Sequence, residues 1–421
     1  MRVQLWSYNY EPEPQGIAPL SAMLAQGLDA LGHDVVVVAA HPHYPEPTWG
    51  MRVRPYRERR HGIPVLRLPL WAGRDSGLAR IRQELSFAAA QSAVMPLLPA
   101  ADVVIAVTPS FPALGAAMTF AKARRIPWVM WLQDIVTDGA ATTGELRSEG
   151  PLLQAARAFE RTSYNSAASV VVISQAFREN LLAKGVPDHK IERIFNPSSR
   201  HSDAPANIDA LLKGRPRVLA MGNIGHSQGL DKMVEAFQAN SRLRDLDAEL
   251  LIAGSGVAAE DVRACVTDDR VQMPGVFYGD EFTPILRSAS VGLVSQRADI
   301  TEFNLPSKLM NYMAFGIPVV ASVNPESETA RIVRESGAGW VTDAAQPEQF
   351  ADQVADVIRD RAALTAASQA GFNFAQSQFA PSSVSQRFSD VLHRVTELAP
   401  LNGVPNMQDN AAGAPSAIPV P

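Results

Sequence analysis

Short apolar runs alternate with amphipathic stretches along most of the chain, beginning with a buried strand predicted over Val3–Tyr8. Four leucines then repeat at helical spacing and Gly32 is placed to end that helix: Leu20, Leu24, Leu28 and Leu31. Strands separated by helices of this length indicate parallel sheets with crossover connections. In the first half, the further predicted strands are 34–40, 102–107, 127–132 and 169–173, and the further predicted helices lie near 113–124, 151–166 and 176–184.

The alternation stops between Asn196 and Pro216, where turn-forming and polar residues predominate as in a linker. A second series follows, with strands predicted at 217–221, 248–253, 270–273, 290–294, 318–322 and 340–342, and helices near 228–239, 257–266, 280–288, 307–315, 326–335, 347–369 and 382–398. We therefore predict the α/β class, with two doubly wound Rossmann-like domains over 1–200 and 215–375 that face a central cleft. The segment 399–421 is rich in Pro, Gly, Ala and Asn and is expected to be disordered.

Composition excludes several classes of protein. The 421 residues are 46% hydrophobic with a net charge of −5, unlike a long disordered chain. A single cysteine, Cys265, rules out an intrachain disulfide or a thiolate zinc cluster and favours a reducing cytosol. The acidic residues Glu11 and Glu13 interrupt the start of the chain as they would not in a signal peptide, and no apolar run approaches the ~20 residues that span a bilayer. We expect a cytoplasmic protein that is free or bound to the membrane surface.

Basic residues are concentrated in the first half of the chain. Residues 1–200 carry 21 Lys and Arg against 17 Asp and Glu, whereas the remainder carries 17 against 26. Nine arginines fall within 51–82, opposed by only two acidic residues. Such a block attracts phosphates of nucleic acid or anionic lipid, although a solvated arginine-rich face explains it equally well. Nucleic acid is the weaker partner, because base-stacking aromatics are not interleaved and the whole chain is acidic.

Glycine-containing turns follow strands in both predicted domains. Gly16 precedes the first helix, where free amides and the helix dipole can meet an anion. Three glycines, at 222, 225 and 229, separate a strand from a helix, and Gly254 and Gly256 follow the next strand. Close backbone approach to a phosphate is one use of such loops, and simple turns are the other. Their spacing matches neither a Walker nor a dinucleotide loop, which argues against ATP hydrolysis and hydride transfer.

The stretch around Pro306 combines several groups suited to a diphosphate. Pro306 fits a first helical turn, and Ser307 and Lys308 then lie at its positive end. Asn311 shares their helical face one turn later. An ammonium, a hydroxyl, free amides and a side-chain amide around one point favour a diphosphate and its ribose. An ordinary capped helix with a solvated lysine is the structural alternative.

Together these motifs resemble the retaining glycosyltransferases of family 4, which have the two-domain GT-B fold, over roughly residues 1–395. Within that family they are most similar to the group of colanic acid biosynthesis glycosyltransferases. The motifs that carry the resemblance are Pro-Glu-Pro-x-Gly-Ile-Ala-Pro at 12–19, Gln133-Asp134 with Asp138, Gly222-Asn223-Ile224-Gly225 with Gln228-Gly229-Leu230, and Pro306-Ser307-Lys308-Leu309 with Asn311.

The resemblance implies transfer of a sugar from a nucleotide-diphosphate sugar to a glycan or polyprenyl-diphosphate-linked acceptor in exopolysaccharide or surface polysaccharide synthesis, without a metal or other cofactor. It further implies an acceptor-binding first domain, with helix 382–398 packed back on it, and a donor-binding second domain. Expected catalytic residues are Lys308, Asp134 and Glu302. Expected donor contacts are Gly16, Gly222, Asn223, Gly225, Gln228, Gly254, Gly256, Pro306, Ser307, Leu309 and Asn311. Expected acceptor or membrane contacts are Gln133, Asp138, Arg52, Arg54, Arg57, Arg59 and Arg60.

The sequence also departs from the family pattern. Many members carry two glutamates separated by seven residues, and here those positions hold Phe303 and Asn311, with Glu302 one place out of register. Ser227 replaces a lysine that is frequent in the related glycine loop. Two other functions therefore stay open: a nucleotide-sugar epimerase, and a catalytically degenerate paralogue that binds the nucleotide sugar.

Overall fold

The structure is a computed structural model that describes residues 1–45, 49, 52–73, 77–135, 150–198, 200–277, 279–300 and 305–398. The tail 399–421, predicted to be disordered, lies outside the described residues.

The first domain is built on an eight-stranded sheet with helices on its faces. Its strands are β1 (Arg2–Ser7), β2 (Asp34–Ala40), β3 (Tyr56–Arg60), β4 (Ile63–Leu68), β5 (Val103–Val107), β6 (Trp128–Leu132), β7 (Ser169–Val172) and β8 (Ile191–Arg193). Its helices are α1 (Ile17–Ala30), α2 (Gly77–Val94), α3 (Phe111–Arg124), α4 (Pro151–Ser166) and α5 (Gln175–Ala183), with 3-10 turns at Met95–Leu97 and Asp188–Lys190.

The strands of this sheet run in the order β3-β4-β2-β1-β5-β6-β7-β8, and all pairs are parallel except the β3–β4 hairpin. Central strands such as β5 are buried along their whole length, as in a sheet covered on both faces. The sequence did not predict β3, β4, β8 or α2. Tyr56–Arg60 reads Tyr-Arg-Glu-Arg-Arg, and only an edge strand, with one side unpaired, accommodates so much charge.

The second domain repeats the plan with a six-stranded parallel sheet in the order β11-β10-β9-β12-β13-β14. Its strands are β9 (Arg217–Asn223), β10 (Glu249–Ser255), β11 (Val271–Gly275), β12 (Val291–Ser295), β13 (Val319–Val323) and β14 (Gly339–Asp343). The helices that follow the first domain are α6 (Ile208–Leu211), α7 (Leu230–Ala239), α8 (Ser241–Asp245), α9 (Ala259–Ala264), α10 (Phe282–Arg287), α11 (Ser307–Ala314), α12 (Glu328–Ser336), α13 (Pro347–Arg359), α14 (Arg361–Gln378) and α15 (Pro381–Glu397), with 3-10 turns at His226–Gln228 and Gly279–Glu281. The predicted α/β class with two doubly wound parallel-sheet domains is confirmed.

Two sequence-based expectations about helices were wrong in detail. The single helix predicted over 347–369 is broken at Asp360, which leaves helical geometry and accepts a 2.9 Å hydrogen bond from the Ala363 amide as the cap of α14. Leu31, expected on the apolar face of α1, lies past the last helical turn and is exposed. Leu24 and Leu28 are buried as predicted.

The last helix, α15, returns to the first domain and packs on α1. The two helices approach closely at Gly27, where a Cβ atom would lie 1.9 Å from Ser385 Oγ. His33 Nε2 and Ser389 Oγ are joined by a 2.8 Å hydrogen bond. Phe388 meets the ring of Trp131 edge to face with centroids 5.1 Å apart. The final helix therefore completes the core of the first domain.

Among the helices that the structure describes, none combines the length and the apolar character that a transmembrane span requires.

Truncating Phe388 tests this contribution. Phe388→Ala removes a fully buried ring and should lower the free energy of unfolding by about 3–5 kcal/mol, as measured by chemical denaturation. Gln386→Ala, on the exposed face of the same helix, is the control and should change stability by less than about 0.5 kcal/mol. Equal effects of the two substitutions would contradict the packing of α15 as a core element.

Candidate active site

Two glycine-bearing strand ends lie side by side at the carboxyl edge of the second sheet. In the register of β9 and β10, Gly222 pairs with Gly254 and Asn223 with Ser255. A Cβ atom on residue 254 would lie 1.8 Å from the carbonyl oxygen of Gly222, and one on Gly256 would lie 2.4 Å from that of Ile224. Gly254 and Gly256 are therefore required by backbone packing, whereas Gly222 has a φ of 103° and open space beside it.

A cavity of about 660 Å³, here the donor-side cavity, opens above these strand ends. Its apolar walls come from the segment after β11 and from α10, and its polar edge comes from the two loops. The lining consists of Met221, Gly222, Asn223, Ala253, Gly254, Ser255, Val276, Phe277, Phe282 and Ile285. Apolar walls with a few polar groups are suited to a planar ring such as a nucleobase. Phe277 and Phe282, which supply the aromatic surface, were missed by sequence analysis because a short turn and helix do not reveal which strand end they cover.

Lys308 meets the glycine loop directly. Its Nζ donates a 2.8 Å hydrogen bond to Oε1 of Gln228, which lies in the 3-10 turn after Gly225. Pro306 caps α11, and no side chain among the described residues caps this helix in addition. The ammonium group and the amino end of α11 therefore lie against the loop that carries Gly222 and Asn223. The family resemblance implied that Lys308 and this loop belong to one site, and in the structure Lys308 contacts Gln228 of the loop.

A buried tyrosine fixes α11 to the end of β9. The Tyr312 hydroxyl donates to the Leu219 carbonyl at 2.7 Å and accepts from the Met221 amide at 3.1 Å. Burial raises the pKa of this phenol far above its usual value, so it stays protonated. Leu309, expected to contact the donor, is instead buried in the core of this domain. Because Lys308 and Tyr312 are one turn apart, the same helix turn positions the ammonium group and the loop.

Arg297 brings a second cation to the glycine loop. Its backbone amide donates to the Ser227 carbonyl at 2.9 Å, and its exposed guanidinium group pairs with Asp299. No spacing along the chain linked Arg297 to the loop, because the contact arises between neighbouring strand ends.

Asn311 faces the interdomain linker. Its Oδ1 accepts a 3.4 Å hydrogen bond from Ser198 Oγ, which also donates to the Arg200 carbonyl at 2.7 Å. From its helical spacing, Asn311 was expected to lie beside Ser307 and Lys308, near a bound diphosphate. In the structure its side chain is half-buried and contacts the linker.

The first domain contributes residues at the carboxyl ends of β1 and β6. Gly16 is the exposed residue that precedes α1. Gln133, expected to orient an acceptor, is buried and its amide exchanges two hydrogen bonds with the Asn196 amide, at 2.8 and 2.9 Å. Sequence analysis missed Asn196, because only the fold brings the linker to β6.

Asp134 follows Gln133 and presents an accessible carboxylate with a perturbed pKa. Desolvation by the surrounding protein raises this pKa, and the Ile135 amide and Arg80 only partly oppose it. The residue is nonetheless exposed, so its carboxylate is accessible to a ligand. A carboxylate of raised pKa in a cleft is a candidate acid, base or hydrogen-bonding group.

Both domains line a second cavity of about 560 Å³, the interdomain cavity. Gln133, Ile173, Phe195 and Asn196 lie on one side, and Leu305 and Met310 on the other. Three contacts on one face of α12 also bridge the domains. The buried Glu328 carboxylate accepts from the Gln175 amide at 2.9 Å, Arg331 pairs with Glu179, and Glu335 pairs with Arg193.

Of the remaining predicted site residues, Glu302 and Asp138 lie outside the described residues. The arginine block divides by strand alternation on β3: Arg57 and Arg59 are exposed on one face, and Arg60 lies on the other. Arg52 and Arg54 precede the strand and are exposed.

Comparisons with known proteins agree with this arrangement. The profile described as "Glycosyl transferase 4-like domain" matches residues 15–197, and that described as "Glycosyl transferases group 1" matches residues 215–360. A relative from Escherichia coli K12, WcaI, named as a colanic acid biosynthesis glycosyl transferase, is 28% identical over 356 residues, covering 79% of this chain and 86% of that protein.

Two solved structures share the fold. Anabaena HepE, solved in complex with UDP and glucose, superposes with a TM-score of 0.61 at 14% identity, over 94% of this chain and all of that one. WaaG, a glycosyltransferase involved in lipopolysaccharide biosynthesis, gives a TM-score of 0.61 at 14% identity, over 93% of this chain and 99% of that one. At these identities the likeness establishes the fold alone.

Replacing Asp134 tests the electrostatic state of the cleft. The pKa of Asp134 is higher in the folded protein than in the unfolded chain, so the ionised carboxylate destabilises the folded protein at neutral pH. This destabilisation disappears as the pH falls, because the folded protein then takes up a proton at Asp134. Asp134→Asn should therefore be more stable than the original protein at pH 7, by a margin that shrinks towards pH 4, in urea titrations at several pH values. If this difference in stability is absent, or grows as the pH falls, the pKa of Asp134 is not raised in the folded protein.

Proposed function

The chain belongs to the glycosyltransferases that join a glycosyl transferase 4-like domain to a group 1 domain in a GT-B fold, and we propose that it is a retaining, metal-independent hexosyltransferase. Its donor would be a nucleotide-diphosphate sugar, and its acceptor a glycan or polyprenyl-diphosphate-linked saccharide of surface polysaccharide synthesis. The contact between Lys308 and the glycine loop carries this proposal. The colanic acid and lipopolysaccharide relatives support the polysaccharide context.

The donor would lie across the second domain with its base in the donor-side cavity. Its diphosphate would then meet Lys308, the amino end of α11 and the amides of the loop at 222–229. Gln228 accepts from Lys308 in the structure, and a phosphate oxygen would replace it as an acceptor. UDP in the HepE structure supports a nucleoside diphosphate as the ligand class.

Sugar transfer with retention requires stabilisation of a departing diphosphate. The bond between the anomeric carbon and the phosphate oxygen breaks as the acceptor oxygen bonds to the same face of that carbon. The acceptor's proton passes to the leaving phosphate oxygen, so the protein need not supply a nucleophile. Its part is to place charge and donors where negative charge develops, as Lys308 and the helix amides would do in place of a metal. Asp134, at the facing edge of the first domain, would orient the sugar or the acceptor hydroxyl.

Replacing Lys308 tests this assignment. Lys308→Ala should lower turnover by about 10²–10³, because one preorganised contact to developing charge is lost. Far-ultraviolet circular dichroism should show the fold unchanged, and Lys232→Ala, at an exposed lysine paired with Glu235, is the matched control. Turnover of Lys308→Ala within threefold of the original would remove Lys308 from the mechanism.

A thermal-shift screen with UDP, GDP, TDP and ADP identifies the donor base, since one preferred diphosphate should stabilise the protein strongly. Turnover should persist in EDTA. Chromatography with the donor sugar alone separates the alternatives: conversion of the sugar without an acceptor indicates an epimerase, and binding without hydrolysis or transfer indicates a degenerate paralogue.

We also propose that the first domain binds the cytoplasmic face of an anionic membrane. Arg54, Arg57 and Arg59 are exposed. Helix α2 follows in the chain and exposes Leu78 and Ile81, which lie three residues apart and therefore on the same face of the helix. Their surfaces are 81% and 51% accessible. Exposed cations and exposed aliphatic side chains on the same domain suit the headgroup region of a bilayer.

Vesicle sedimentation tests membrane binding. The protein should co-sediment with anionic vesicles at low ionic strength and dissociate as salt is added. The pairs Arg57→Gln with Arg59→Gln, and Leu78→Gln with Ile81→Gln, should each weaken binding severalfold, whereas Val257→Gln in the other domain should not. If the unmodified protein stays in the supernatant at low salt, the proposal of membrane binding is wrong.

A further inference from the structure

The first domain contains a cavity of about 770 Å³ that the donor site does not use. We call it the His41 pocket, lined by His41, Trp49, Arg52, Tyr56, Glu58 and Arg60 together with two prolines. His41 directly follows β2, and Tyr56 begins the antiparallel β3, so the pocket lies at the carboxyl edge of the parallel strands. Asp134 follows β6 at the same edge.

The buried Nε2 atom of His41 has no hydrogen-bond partner among the residues that the structure describes. The side chain is nearly inaccessible, at 4% exposure, and its Nδ1 donates to the Arg52 carbonyl at 3.0 Å. Burial lowers the pKa of the His41 ring, and the positive charges of Arg52 and Arg67 lower it further. Hydrogen bonding to two backbone carbonyls opposes this only in part, so the ring is neutral at pH 7. Nε2 is then a hydrogen-bond acceptor, and none of the described residues donates to it. Buried polar atoms normally have partners, so a donor from a ligand, such as a hydroxyl group, fits this position.

The charge of the pocket is positive. Burial alone would raise the pKa of Glu58, but hydrogen bonds from Arg67 and Arg60 outweigh burial and lower it, so this carboxylate is ionised. Arg67 is fully buried and bonded to Glu58 at 2.8 Å. One carboxylate thus faces two arginines, and Arg52 adds a third guanidinium group, stacked over the Tyr56 ring at 4.9 Å. This excess suits a ligand with a carboxylate or phosphate group.

Aromatic side chains complete the pocket. Trp49 is held by a 3.1 Å hydrogen bond from its Nε1 to the Tyr44 carbonyl, and Tyr56 lies between Arg52 and His41. Aromatic rings beside a few fixed polar groups are typical of pockets that bind a small, partly apolar ligand. Hydroxyl groups, a negative charge and an apolar face together describe an acidic sugar.

We propose that the His41 pocket binds an anionic sugar unit of the acceptor, an assignment that rests on the proposed glycosyltransferase function. Strand β2 is separated from β6 by β1 and β5, so three interstrand spacings, roughly 14 Å, separate the pocket from Asp134 along the sheet edge. A short oligosaccharide spans that distance. The pocket would bind a charged sugar unit that lies a few sugar units away from the reacting hydroxyl group. It would thereby select acceptors that carry this charge.

Ligand-observed NMR tests this on the protein saturated with whichever of UDP, GDP, TDP or ADP gives the largest thermal shift. D-glucuronate and α-D-glucose 1-phosphate represent the carboxylate and phosphate sources, and D-glucose is the neutral control. At least one anionic sugar should bind tenfold more tightly than glucose, and the tighter of the two identifies the source of charge. Equal affinities of all three sugars would overturn the proposal.

Variants locate the binding. Arg52→Gln and His41→Leu should each abolish the preference for the anionic sugar, whereas Arg57→Gln, on the other face of β3, should retain it. If His41→Leu does not fold, the accessible Arg52 decides the outcome alone. The thermal shift induced by that nucleoside diphosphate should be unchanged in Arg52→Gln. A normal shift with one of the four diphosphates but no binding of an anionic sugar defeats only the pocket. Binding of an anionic sugar without a shift from any of the four diphosphates defeats only the proposed donor.

Discussion

The close backbone contact between the ends of β9 and β10 is the constraint on which the donor half of the structure depends. Gly254 can have no Cβ atom, because the Gly222 carbonyl occupies that space. The contact leaves Gly222 and Asn223 at the open edge of the sheet, and the Tyr312 hydroxyl holds the adjacent Leu219 and Met221 backbone groups in place. A loop fixed in this way can present amides to a ligand with little rearrangement, which is the form of electrostatic help that departing phosphate needs.

The second constraint is that the site exists only when the two domains are held against each other. The linker takes part directly, since Asn196 pairs with Gln133 and Ser198 bonds to Asn311. Glu328 of the second domain places a buried carboxylate at the amino end of α5 in the first domain, where the helix dipole favours negative charge. Burial raises the pKa of Glu328, so this contact combines a costly desolvation with favourable amide hydrogen bonds. These contacts fix how the edge carrying Asp134 faces the edge carrying Lys308.

The arginines of the first domain do not form one uniform patch. Arg67 is an interior residue that joins Glu58 to the Ala40 carbonyl. Arg52 and Arg60 line a pocket, and Arg57 and Arg59 point away from it. Strand alternation on β3 produces this division, since neighbouring side chains emerge on opposite faces. A basic block that suggests a single surface in the sequence thus supplies a core ion pair, part of the lining of a cavity and an exposed face.

The sequence by itself determined the α/β class, the alternation of strands and helices, and the position of Lys308 in the first turn of a helix. Those features follow from hydrophobic periodicity and from motifs that are local in the chain, so nearby residues contain the whole signal. Only the tertiary structure decided that Gly254 and Gly256 serve backbone packing and that the Gln133 amide is bonded to Asn196. It also decided that His41 has a nitrogen with no partner among the described residues, in a positive pocket. Each of these depends on residues from separate strands meeting at a sheet edge. Such contacts are set by the strand order and the docking of the two domains, and no spacing along the chain records them.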